Sequence, residues 1–144
     1  SMSIQEVIMK KWFAIVVFAV FGFGATSAVF ANEFEDLRTE MTAARESLVT
    51  LVINKDKRGA DQQKLVKETA DKVSAHLAKM KAPAGKEAQF KELNEVWAAF
   101  KKTRETELVP AVLAGKDDDA KKLVNGIQKE RYTKCQQLVG ELGG

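Results

Sequence analysis

From Phe34 to Leu51 the apolar residues fall at Phe34, Leu37, Met41, Ala44, Leu48 and Leu51, in alternating steps of three and four. A helix brings a residue back to one face every 3.6 positions, a strand every second one. This spacing therefore specifies a helix with one greasy stripe and excludes a strand. The pattern returns three times: Leu65/Val66, Thr69/Ala70, Val73, Leu77 and Met80; then Phe90, Leu93, Trp97, Phe100, Arg104 and Leu108; then Ala120, Leu123/Val124, Ile127, Arg131, Cys135, Leu138 and Leu142. A striped helix must cover its stripe with other elements. Four stripes that cover one another make a bundle.

Punctuation between the stripes supports this division. Asn32 followed by Glu35 reads as a capping pair, and NKDKRG ends the first helix, with Gly59 in the left-handed geometry of a stop. Asp61 is expected to cap the second helix, which KAPAGK breaks at Pro83 and Gly85. The third runs to Ala114; Pro110 removes one donor in its last turns and should kink or tighten them, and Gly115 closes it. Asp117, Asp118 and Asp119 open the fourth, acidic charge meeting the positive end of the helix dipole. Each helix spans about 20 to 29 residues, roughly 30 to 43 Å. Short connections make neighbours antiparallel, so the predicted fold is all-α, an antiparallel up-down-up-down four-helix bundle over residues 32–144.

Residues 1–31 stand apart. Met9-Lys10-Lys11 precedes WFAIVVFAVFGFG, and Val29-Phe30-Ala31 offers a small-x-Ala cleavage site before Asn32. Basic, apolar and small-residue regions in that order describe a secretory signal peptide, with Ser1 read as a scar upstream of it. The alternative is a retained anchor, since Trp12 to Ala31 is about long enough to span a bilayer. The expected location is periplasmic, or anchored in the inner membrane facing the periplasm. Removing Glu6, Lys10 and Lys11 with this segment takes the net charge from +3 to +2. Charges of both signs are interspersed without a basic stripe, so nucleic acid is not an expected partner. A single cysteine excludes an internal disulfide, although export would permit one.

Catalytic patterns are absent. The chain has no Ser-His-Asp set, HExxH, glycine-rich phosphate loop or paired ExxH, and His76 is its one histidine. Most carboxylates fall on outward faces near cations, as Glu68 does with Lys72. An enzyme is not expected. Arg104 and Arg131 are the candidate ligand-binding residues. Both sit on core-facing positions of the third and fourth helices, and a buried guanidinium needs a partner. The bland account pairs them with Glu107 or Glu130 or lets them reach the rim. The functional one holds a carboxylate-bearing ligand between the helices. Cys135 on its stripe reads as a small buried hydrophobe. Its alternatives are an intermolecular disulfide, or a soft haem or copper site shared with His76 and Met80, which lie on one side of the second helix. Otherwise no cofactor or metal is expected; Met41 and Met80 read as core filler, as do Trp97 and Phe100.

The segments AARESLVTLVINKDKRGADQQKLVKETADKVSAHLAKM and VWAAFKKTRETELVPAVLAGKDDDAKKLVNGI carry a resemblance over nearly the whole bundle. In Trp97-x-x-Phe100, then Leu113-Ala114-Gly115-Lys116-Asp117, then Ala120 and Leu123, the chain resembles the periplasmic four-helix-bundle sensor domain of bacterial chemoreceptors. The resemblance implies an extracytoplasmic, commonly dimeric module that binds a small molecule or partner protein and passes a helix displacement through the membrane. The expectation for this chain departs from that plan, with neither a second span nor a signalling domain expected after Leu142. A free bundle is expected if the leader is cleaved, self-associating as a homodimer through its first and fourth helices and binding a small molecule or a membrane receptor. A retained leader implies a one-span sensor. GKDDDAKKLVNGIQKERYTKC is also similar to the end of the soluble b-type haem cytochromes that fold as four-helix bundles. There the axial histidine falls on Cys135 and the axial methionine on Arg38, with Met41 one turn along, and the covalent haem motif CxxCH is absent.

Overall fold

The computed structural model describes residues 31–144. All regular structure among them is helical. Helix α1 occupies residues 31–53 and is followed by a 3-10 turn, Lys55–Lys57. Helix α2 is Ala60–Lys79. The third rod comprises α3, Glu87–Thr103, a π turn over Arg104–Leu108, and α4, Val109–Leu113. The fourth comprises α5, Asp117–Asn125, and α6, Ile127–Gly143, meeting at Gly126. These rods form a four-helix bundle. The leader or anchor expected over residues 1–31 lies, apart from Ala31, outside the described residues. No described helix is long and apolar enough to cross a membrane.

The stripes close on one another. Every stripe residue of α1 is buried, and so are Val66, Ala70, Val73, Leu77 and Met80 of the second rod. Leu93, Trp97, Phe100, Leu108 and Val112 enter from the third; Ala120, Val124, Cys135, Leu138, Val139 and Leu142 enter from the fourth. Trp97 stacks on Phe100 with ring centroids 5.2 Å apart, as core and not as an open platform. Polar ties join neighbouring rods at the edges of this core. Ser47 meets Thr69 at 2.9 Å and Glu40 meets His76 at 2.8 Å between α1 and α2. Trp97 Nε1 donates to Ser74, and Lys101 pairs with Asp71 at 3.0 Å, between the second and third rods. Gln128 Nε2 donates to the Phe100 carbonyl between the third and fourth. Thr42 meets the Tyr132 hydroxyl, and Arg45 donates to the Val124 carbonyl, between the first and fourth.

Several expected boundaries are corrected. Asn32 already lies inside α1, so it is not a cap. Gly59 has φ −79° and is the extended residue before α2; Asp61 sits in the first turn of that helix instead of capping it. The α1 end is closed by Arg58, which donates to the Leu51 and Val52 carbonyls and to Asp117 Oδ1 at 2.7 Å. Orphan carbonyls at a helix end need such donors, and a guanidinium supplies them where the sequence suggested glycine. Leu65 is exposed, leaving Val66 as the inward member of that pair. Glu68 pairs with Lys64 at 3.7 Å and not with Lys72.

The third and fourth rods each carry an irregularity. Pro110 has no N–H, and its ring crowds the carbonyl four residues earlier. The chain meets this with the wider π turn immediately upstream, where the Val109 N–H reaches the Arg104 carbonyl. Gly115, at φ +75°, then ends the rod as expected. Lys116 N–H donates to the Ala111 carbonyl at 2.8 Å and Gly115 N–H to the Val112 carbonyl at 3.1 Å, the paired bonds of a Schellman stop. Gly126, at φ −100° and ψ −111°, interrupts the fourth rod. The break turns α6 relative to α5. Ile127, expected on the stripe, is therefore 41% exposed, and Gln128 is fully buried in its place.

Candidate functional site

Arg104 opens the π turn and is 3% exposed. A charge so placed must be met by polar atoms. Its Nη1 donates to the Val66 carbonyl of α2 at 2.7 Å, and its Nη2 to Glu105 Oε1 at 2.7 Å. Its Nε is buried with no partner among the described residues. The rim account in the sequence reading thus gives way to a buried arginine, and its acidic partner is Glu105, the next residue, not Glu107.

Arg104 borders a groove of about 460 Å³ that the first three rods share. Leu51 of α1 and Val66 of α2 border it from the buried core, the half-buried Val109 of α4 gives it an apolar wall, and Lys64 and Lys67 add cationic charge on the α2 side. Both lysines are exposed and lean towards acidic neighbours one turn along, Lys64 to Glu68 and Lys67 to Asp71 at 3.3 Å. Small-molecule sites in general combine apolar walls with a few convergent polar groups. The cationic bias of this groove suits an anion. A second groove, about 350 Å³, lies between the second and third rods and is lined by Ser74, Leu77, Trp97, Lys101 and Glu105 among others. Glu105 borders both.

Arg131 is placed differently. It lies half-buried, and its Nη1 donates to Thr103 Oγ1 at 2.7 Å, to Gln128 Oε1 at 3.1 Å and to the Ala99 carbonyl at 3.4 Å. Thr103, and not Glu130, is its close partner. Together with Gln128 it fastens the fourth rod to the third. The two arginines therefore engage separate partners, and the groove beside Arg104 is lined without Arg131.

The residues of the alternative metal site are placed as follows. Cys135 is 1% exposed, and burial pushes its thiol up to about 12, so the metal-ligating thiolate is disfavoured. His76 Nδ1 is engaged by Glu40 at 2.8 Å. Met80 is buried at the end of α2. Among the described residues no group of three or more His, Cys, Asp or Glu is arranged to hold a metal ion.

Glu105, Lys64 and Lys67 were not singled out by the sequence reading. Their charges are ordinary at helical surface positions, and nothing in the spacing marks them. The faint signal was Glu105 beside a stripe arginine, five residues before a proline. No protein-family model, curated protein or solved structure matches this chain.

Proposed function

We propose that this chain is a non-enzymatic binding bundle of the sensor type, exported to the periplasm, which takes a small anionic molecule in the groove beside Arg104. The observation that carries the reading is a buried arginine that lines a groove and has one N–H without a partner among the described residues. Leaving such a donor without a partner is costly, and an anion would relieve the cost. The π turn at the same place adds weight, because such turns are frequent at functional sites.

An up-down-up-down arrangement belongs to this reading. It is supported by tie pairs whose numbers run in opposite senses: Glu40 with His76 and Ser47 with Thr69, Val66 with Arg104 and Ser74 with Trp97. In that arrangement a ligand held between α2 and the third rod is positioned to shift one rod against the other. Self-association through the first and fourth rods completes the reading, supported by exposed Ile53 and Ile127. Export is supported by the leader-like pattern before Asn32.

Thermal unfolding in the presence of small anions and their neutral analogues tests the proposal. A ligand present at 100 times its dissociation constant adds about 2.7 kcal/mol to stability, enough to raise Tm by several degrees. An anion-specific rise is expected. A panel of organic and inorganic anions that leaves Tm unchanged would overturn the reading.

A further inference from the structure

The Nη2 and Nε of an arginine share one edge of the planar fork, the edge on which a carboxylate binds with both oxygens. In Arg104, Nη2 is held by one oxygen of Glu105 while Nε beside it has no partner among the described residues. Glu105 is thus a half-fit. It meets one corner of an edge built for two, from an adjacent position on the same turn of helix. It is also poorly committed, being about half exposed, and its Oε1 lies 4.0 Å from Lys101 Nζ on the other side. Lys101 borders the second groove, which Glu105 also lines. A second cation, one that Asp71 already holds at 3.0 Å, is therefore within reach if Glu105 leaves Arg104.

We infer that the ligand of the Arg104 groove is a monocarboxylate with a short apolar tail, and that Glu105 is its built-in competitor. The inference rests on the binding reading given above and specifies its ligand. The incoming carboxylate takes Nη2 and Nε together and gives the buried Nε the partner it lacks. Its tail lies on Val109 and the alkyl stems of Lys64 and Lys67, above the buried Leu51 and Val66, apolar surface that a bare inorganic anion would leave in contact with water. Glu105 swings across the ridge of the third rod towards Lys101. Lys64 and Lys67 attract the anion without being shaped to bind it, because exposed ammonium groups act as point charges.

Calorimetric titration of the full chain with hexanoate, hexanol and inorganic phosphate, repeated on Glu105→Gln, tests the inference. Glu105 is on the surface and its replacement is isosteric, so the variant is expected to fold; circular dichroism verifies this. Hexanoate is expected to bind, hexanol and phosphate to bind at least about tenfold more weakly, and Glu105→Gln to tighten hexanoate by about tenfold, the worth of one charge-assisted competitor. Hexanol or phosphate binding as well as hexanoate would overturn the ligand class, and unchanged hexanoate affinity in Glu105→Gln would overturn the competitor; in both cases the groove reading survives. No binding of any probe to either protein would remove the inference, and with no anion raising Tm the site reading falls too.

Discussion

At the scale of single residues, burial decides what each polar or reactive group can do. Cys135 illustrates this. With its thiol pushed up to about 12 by desolvation, it stays protonated at neutral pH and behaves as a small apolar side chain. A thiol reagent at pH 8 is expected to label the folded protein only as fast as the protein opens, and urea should restore full reactivity. Rapid labelling without denaturant would contradict the burial. Cys135→Ser is expected to cost about 1–3 kcal/mol in chemical denaturation, because a buried hydroxyl without a partner replaces a thiol that needs none. The stripe made this role legible, since position alone placed Cys135 in the core. The pairing of Arg104 was not legible. Helical spacing brought its side chain inward, but spacing alone does not choose between Glu105 and Glu107 as its partner. Gln128 was missed for a related reason: it enters the core only because the backbone turns at Gly126.

At the scale of elements, the two irregular points matter more than the regular helices around them. Gly126 admits no side chain as it stands, because a Cβ there would sit 2.7 Å from the Lys122 carbonyl. Gly126→Ala must move that carbonyl or straighten the break, and straightening would return Ile127 inward at the expense of Gln128. A loss of about 1–3 kcal/mol is expected in urea denaturation, within the range for overpacking. Gly115→Ala tests a different cause. Open space surrounds Gly115, but its φ of +75° suits glycine, so a loss of about 1 kcal/mol is expected from backbone strain alone. Stripes and stops such as Gly115 and Gly85 were readable because periodicity and turn chemistry are local. The ends at Gly59 and Asp61 were misread because Arg58, drawn to Asp117 from a distant rod, took over the closing of α1. A long-range partner of this kind has no local signature.

At the scale of the whole molecule, the four stripes unite the rods, and the charges at their edges set how the bundle responds to acid and base. Hydrogen bonds from Arg58, then Lys55, hold the Asp117 carboxyl below its usual range, and those from Lys101, then Lys67, do the same for Asp71. A carboxyl depressed in the folded state stabilises above its unfolded value, about 4, and that contribution is lost as pH falls through the lower folded value. Cys135 acts in the opposite direction. Its raised value gives a contribution that is complete below about 9 and disappears as pH climbs towards about 12. The urea midpoint is expected to be flat between these limits and to fall on both sides. Asp117→Asn should soften the acid limb, and an acid limb identical to that of the parent would show that the Arg58 clasp contributes nothing. Fold class was legible at this scale because burial of four stripes has few solutions. Of the candidate site, only the inward position of Arg104 was legible, because the groove exists only once the rods are assembled around it.

The most direct test of the account follows the Arg104 Nε–H itself. In a proton–nitrogen correlation spectrum of the full chain, this signal is expected to move and saturate as hexanoate is added, while the Arg131 signals stay in place. A spectrum in which Arg104 Nε–H is indifferent to hexanoate, or in which the changes gather around Arg131 or Cys135 instead, would contradict it.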